Sequence, residues 1–302
     1  VRFLGRELAS PLVLASGILG LSSASLIRVA EAGAGLVTTK SLSLEPRRGH
    51  LSPITAEFSG GIINSVGLAN PGISAGLEEV ERFKERSETP ICVSIFGARE
   101  AEFARLAHLV DGSSADFLEL NLSCPNVEDE FQRPFALDPD RTAHIVELVK
   151  AEFQRPVLVK LSPNAQNIGE TASAAREAGA DALTVINTLG PGLLIDPHSR
   201  RPVLHHNVGG ISGPCLKPLT LRLVSELHQQ VDLPLIGTGG VLTGTDAAEM
   251  LIAGAQLVGI GTAFYYRGPE ALGLIKKELD EFLAREGVKD YADLIGTLEW
   301  NS

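Results

Sequence analysis

Short β-branched runs alternate with amphipathic helical runs along the whole chain, and this alternation limits the fold more than any other feature. The strand candidates are PLVLAS, GLVTTKS, ICVSIFG, FLELNLS, VLVKLS, ALTVINT, LPLIGTGG and LVGIGTA. Helical patterns such as SASLIRVAEAGA, AEFARLAHLV, RTAHIVELVKAEF, ETASAAREAGA, LKPLTLRLVSELHQQ and GTDAAEMLIAGA lie between them. Eight strands, each followed by a helix, are expected to close into an α/β fold of the (β/α)8 TIM-barrel type, and 302 residues suit a single such domain over 1–302. A weak internal repeat agrees: EAGAG-LVTT, EAGAD-ALTV and IAGAQ-LVGI each end a helix in Ala-Gly-Ala and start a strand. Glycine there permits a left-handed exit from the helix. A doubly wound open sheet fits less well, because no GxGxxG follows the first strand.

Two segments are too long to be simple connections. Residues 42–72 and 189–213 are expected to form excursions after strands two and six, at the C-terminal rim, where long ordered loops cover ligands.

Net charge is −11, with acids spread along the chain. That argues against non-specific binding to nucleic acid or to an anionic membrane, so any anion site must be local. The three cysteines, Cys92, Cys124 and Cys215, form no CxxC pair and no disulfide framework, which points to a reducing cytoplasm. No apolar run approaches the roughly 18–20 residues of a membrane helix. The N-terminal run VRFLGRELASPLVLAS leads straight into a strand and does not read as a signal peptide.

Side chains alternate along a strand. In FLELNLS, Leu118, Leu120 and Leu122 should face the helices, and Phe117, Glu119, Asn121 and Ser123 the barrel axis. In VLVKLS, Leu158, Lys160 and Ser162 should face inward. Lys40 and Asn187 end two other strands. Buried lysines need an anionic or accepting partner. One candidate is a buried ion pair between Glu119 and Lys160; a ligand is another. The last two strands end in IGTGG (236–240) and IGTA (260–263), where glycines let backbone N–H groups approach a phosphate. Cys124 follows its strand and precedes a proline, which suits a reactive thiol better than a core residue. The histidines show no metal-binding spacing; His205-His206 is expected to decorate a loop, and no metal is expected.

The motifs ASG (15–17), TTKS (38–41), NSVGL (64–68), NLSCPN (121–126), VKLSPN (159–164), INT (186–188), GGISGP (209–214), GTGG (237–240) and GTA (261–263) occur in this order. Together they resemble the soluble, cysteine-using class 1 of the dihydroorotate dehydrogenase family over nearly the whole chain. The resemblance implies an FMN-bound barrel that oxidises dihydroorotate to orotate in pyrimidine synthesis. It assigns Cys124 as general base, with the hydride passing to flavin N5. It implies that Lys40, Asn64, Val66, Gly67, Leu68, Asn121, Asn126, Asn187 and Thr188 hold substrate. It implies that Ser16, Lys40, Ser41, Asn121, Lys160, Ile186, Gly213, Gly239, Gly240, Gly261 and Thr262 hold FMN.

These residue types suit that chemistry. Asparagine offers a donor and an acceptor to the amide edges of a planar ring. Lysine offers charge, and Lys160 would stabilise a reduced, anionic flavin. A thiol of ordinary pKa, about 8.5, makes the rate rise with pH until it ionises.

KLSPN, INT and GGISGP look like the NAD-linked type of the family. That type pairs with an electron-transfer subunit carrying FAD and an iron–sulfur cluster; a homodimer of the catalytic chain is also expected. This chain lacks the cysteines to hold such a cluster. Ser94 departs from that type and looks more like the fumarate-linked homodimers. The alternatives are a dihydropyrimidine dehydrogenase-like flavoprotein acting on uracil or thymine, a flavin-free phosphate-binding lyase or isomerase, and a non-catalytic scaffold. The first tends to have histidine after CP, where this chain has Asn126. The last gives no reason for polar strand ends.

Overall fold

The computed structural model describes residues 1–122 and 134–301. Eight parallel strands close into a barrel: β1 Leu12–Leu14, β2 Leu36–Thr38, β3 Ile91–Ile95, β4 Phe117–Asn121, β5 Val157–Lys160, β6 Ala182–Val185, β7 Leu235–Thr238 and β8 Leu257–Ile260. Each strand pairs with its neighbours in sequence, and β8 returns to β1 with Val258 opposite Leu12 and Ile260 opposite Leu14. The helices are α1 Ser23–Glu31, α2 Ile73–Lys84, α3 Glu100–Asp111, α4 Pro139–Glu152, α5 Ile168–Glu177, α6 Lys217–Gln230, α7 Gly244–Ile252 and α8 Ala271–Glu286, with a short helix Ala263–Arg267 before α8. This is the expected TIM-barrel architecture.

Local chemistry sets the helix ends. Ser22, Asp138 and Asn167 accept backbone N–H bonds as N-caps of α1, α4 and α5, and Thr243 with Asp246 forms a capping box on α7. The three repeat glycines, Gly33, Gly179 and Gly254, have φ of 100°, 99° and 116°, conformations that cost a residue with a Cβ.

Strand alternation divides the core as the sequence implies. Leu118, Leu120, Val157 and Val159 pack outward with the helices. Val13, Leu36, Cys92, Phe117, Leu158, Ala182, Ile236 and Leu257 form a separate cluster inside the barrel. Several of these are the first residues of their strands, so the cluster fills the N-terminal end. A two-stranded hairpin, Arg2–Phe3 with Arg6–Glu7, brings Phe3 onto this cluster, edge-on to Phe117 at 5.9 Å between centroids. The barrel floor is therefore dry and apolar, and polar inward residues lie above it.

The two excursions are one structure. Strands Leu189–Gly192, Gly209–Ser212, Gly61–Asn64 and Thr55–Phe58 form a single antiparallel sheet in that order, with Gly210 opposite Asn64 and Ser212 opposite Ile62. His205 N donates to Pro53 O at 2.9 Å, and the rings of His50 and His206 stack at 4.0 Å. His206 lies on a loop, as expected, and its ring packs against the other excursion.

Phe3→Ala should lower the unfolding free energy by about 3–5 kcal/mol, the usual cost of truncating a buried phenylalanine. Denaturant titration of the purified variant measures this. A loss under 1 kcal/mol would mean the hairpin adds little to the floor.

Candidate active site

Polar inward residues line a cavity of about 410 Å³ at the C-terminal ends of the strands, within the range of small-molecule sites. β1 is followed by Ser16, β2 by Lys40 and Ser41, and β6 by Ile186, Asn187 and Thr188; β4 and β5 end in Asn121 and Lys160. Gly239, Gly240, Gly261 and Thr262 bound the cavity after β7 and β8. The excursion sheet adds Thr55, Ile62, Asn64 and Ser212, with Val66, Leu68 and Gly213 beside it. Lys40 and Asn187 lie two residues beyond the strand ends, not on them.

Of the expected site residues that are described, only Gly67 is absent from the cavity wall. It is buried with φ 71°, and a Cβ there would come within 2.6 Å of the His50 ring, so it shapes the loop from behind. Cys124 and Asn126 lie outside the described residues, as does Ser123. Thr55, Thr238 and Tyr265 line the cavity without having been singled out in sequence. Thr238 carried a readable signal, as the inward residue before GG in IGTGG. Thr55 and Tyr265 carried none, since their place depends on how an excursion and a short helix pack.

A polar layer lies between the floor and the cavity. Glu119 is 4% exposed. It accepts hydrogen bonds from Ser16 Oγ at 2.8 Å, Ser94 Oγ at 2.9 Å and Thr184 Oγ1 at 3.0 Å. Lys160 Nζ donates to Ser16 Oγ at 3.0 Å. In place of the candidate direct pair of Glu119 with Lys160, the two share the Ser16 hydroxyl. Side-chain alternation explains why: Glu119 is opposite Leu158 in the register and Lys160 opposite Asn121, so lysine and glutamate occupy different layers. Lys40 Nζ donates to Gly17 O at 2.8 Å. Asn121 Nδ2 donates to Ser41 Oγ at 3.0 Å, and Asn187 Nδ2 to Asn121 Oδ1 at 3.2 Å. Ser94 belongs to this lower layer and is not part of the described cavity wall.

The wall thus presents two cations, several amides and backbone-rich glycine turns to one space. Such a set can hold a planar ring with amide edges and, separately, an anion. Thr238 Oγ1 is buried on this wall without a hydrogen-bond partner among the described residues, as expected of a group that awaits a polar ligand.

The described thiols differ from the cysteine expected to react. Cys92 is 1% exposed, on the barrel floor. Burial first, and then the charge of Glu119, push its thiol well above the ordinary range. Burial also raises Cys215, although its side chain reaches the surface.

The family model described as dihydroorotate dehydrogenase matches residues 1–283. A Methanothermobacter thermautotrophicus protein named dihydroorotate dehydrogenase B (NAD(+)), catalytic subunit, is 43% identical over 290 residues, 96% of this chain and 95% of that protein. A Pyrococcus abyssi protein of the same name is 41% identical over 98% of this chain and 97% of its own length. A Geotalea uraniireducens protein of that name is 39% identical over 99% and 97%.

Because thiolate is the reactive form, a raised thiol pKa slows alkylation at a given pH. At pH 8, iodoacetamide should modify Cys215 in the folded protein and reach Cys92 only after unfolding. Peptide mass mapping checks this, and rapid native labelling of Cys92 would contradict a closed floor.

Proposed function

Since the chain belongs to the dihydroorotate dehydrogenase family, we propose that it oxidises dihydroorotate to orotate in pyrimidine synthesis, with FMN as resident cofactor. The observation that carries the reading is the convergence of Lys40, Lys160, Asn64, Asn121 and Asn187 on one cavity under the shared excursion sheet.

The described residues fit FMN. A Cβ added at Gly261 would meet nothing nearer than Ala15 at 4.0 Å, so protein packing does not demand glycine there; a close ligand would. Gly239 and Gly240, with φ of 149° and 81°, form the neighbouring turn. Gly239, Gly240, Gly261 and Thr262 would hold the phosphate, with Ser16, Lys40, Ser41, Asn121, Lys160, Ile186 and Gly213 along the rest of the cofactor. When bound, FMN supplies the acceptor for the hydride that leaves C6 of the substrate.

The protein's own groups do the rest. Lys40, Asn64, Asn187 and Thr188 orient the ring, with Asn121 and Asn126 as further amide partners. The Val66–Leu68 backbone holds the carboxylate. Lys160, held on the wall by Ser16 Oγ, would place its positive charge beside the cofactor and favour the form that carries added negative charge. Cys124 Sγ takes the C5 proton as general base. The apolar floor and the excursion sheet keep bulk water from the ring.

The names of the relatives support NAD⁺ as final acceptor and, through the words catalytic subunit, a partner subunit; FAD and an iron–sulfur cluster in that partner are what the motif resemblance implies. Ser94 was the residue pointing to fumarate. Its engagement with Glu119 below the wall removes it from direct comparison with a wall contact. Exposed Leu51, Leu193, Ile195 and Val208 support a homodimer of catalytic chains through the excursions. No helix among the described residues is long and apolar enough to cross a membrane. The cysteine usage supports a cytoplasmic location.

Anaerobic addition of dihydroorotate to the FMN-loaded chain should bleach the flavin band. A flavin-loaded protein left unbleached by dihydroorotate, but bleached in reverse titrations by dihydrouracil or dihydrothymine, would sink the reading. Cys124→Ser should retain FMN and slow bleaching by roughly 10²-fold or more at neutral pH, within the usual worth of a positioned base. In the parent protein the bleaching rate should rise with pH as the thiol ionises. An unchanged rate in the variant would remove Cys124 from the mechanism.

A further inference from the structure

Glu119 does not line the cavity, yet it ends a chain of hydrogen bonds that does reach it. Ser94 has a single hydroxyl hydrogen, and it goes to Glu119 Oε1. The 2.9 Å contact between Ser41 Oγ and Ser94 Oγ must therefore have Ser41 as donor. Ser41 Oγ can then only accept from its other neighbour, Asn121 Nδ2 at 3.0 Å. That turns Asn121 Oδ1 toward Asn187, which donates to it from Nδ2 at 3.2 Å. Asn187 Oδ1 accepts from Thr188 N at 2.8 Å. One end of the chain is a carboxylate, which can only accept, and the other is a backbone N–H, which can only donate. Every hydroxyl and amide between them has one permitted direction.

The same carboxylate fixes a second branch. Ser16 gives its hydrogen to Glu119 Oε1 and so presents only lone pairs to Lys160 Nζ. Both branches end on residues of the cavity wall.

We propose that Glu119 is a positioning residue: through Ser94 and Ser41, and with the Thr188 N–H holding the far end, it sets which end of Asn121 and of Asn187 is donor and which is acceptor. The consequence is specificity. An asparagine whose oxygen and nitrogen could exchange would accept a ring edge in either sense. With Asn121 fixed, one N–H goes to Ser41 and the second has no acceptor among the described residues, which leaves it for an acceptor oxygen of the bound ring. This step rests on the cavity being the substrate site.

The test separates the two ideas. Side-chain amide signals of Asn121 and Asn187 are recorded by ¹⁵N–¹H correlation in the ligand-free protein and assigned by their loss in Asn121→Asp and Asn187→Asp. Ser94→Ala cuts the chain without touching either amide, and should move both signals. The buried amide of Asn70, held by Ser43 Oγ and Leu68 O in a separate network, should stay in place. Glu119→Gln keeps the shape but offers a neutral acceptor, so it should move the same two signals in the same direction by less, and it decides the matter if Ser94→Ala fails to fold. Stationary Asn121 and Asn187 signals would overturn the proposal. In the FMN-loaded protein, Ser94→Ala should weaken orotate by roughly threefold or more, a modest coupling for hydrogen-bonded neighbours. In an Asn121→Ala background, where the chain is already cut at the first wall amide, it should add nothing further. Equal losses in both backgrounds would also overturn the proposal, since Ser94 would then act by another route. A parent protein that binds no orotate would instead overturn the functional reading, and the amide signals would still decide the role of Glu119.

Discussion

A carboxylate inside a barrel imposes its own surroundings. Left without donors, the buried charge of Glu119 would cost several kcal/mol. Three hydroxyls from three different segments meet it: Ser16 after β1, Ser94 on β3 and Thr184 on β6. Because these segments lie around the barrel, satisfying one carboxylate fixes the relative positions of much of the wall. The apolar floor below it, from Phe3 to Leu257, keeps water out from one side. The hydrogen bonds therefore act in a low-dielectric setting, where each is stronger and each omission more costly.

The cavity above this layer belongs to no single segment. Its floor comes from strand ends, its glycine turns from β7 and β8, and its cover from a sheet that neither excursion could form alone. An isolated two-stranded hairpin is marginal in water. Joining residues 55–64 to residues 189–212 gives four strands and buries Ile62 and Ile63. The same pairing sets Asn64 at the cavity edge, with its amide donating to Gly210 O at 3.2 Å. Stability of the cover and placement of a ring-facing amide thus come from one set of contacts.

The barrel was legible because its cues are local. Strand period two, helix period near 3.6 and Ala-Gly-Ala exits can be read over about a dozen residues. The inward placement of Glu119, Asn121 and Lys160 followed from alternation alone, and so did the outward leucines of β4. The direct Glu119–Lys160 pair did not survive, because neighbouring strands are staggered and register is a tertiary quantity. Thr55 and Tyr265 could not have been assigned to the wall from sequence, since nothing near them in the chain marks what they face. The ring contact of His206 was likewise unreadable, because its partner His50 is on the other excursion.

The sequence by itself therefore determined the number and order of the strands, which side chains point inward, and the family, since these rest on short-range pattern and on motifs in order. Only the tertiary structure decided that the two excursions are one sheet, that lysine reaches glutamate through Ser16, and that the amide chain has one direction. Those depend on register and on the requirement that buried donors and acceptors be paired, which only residues brought together from distant segments can meet.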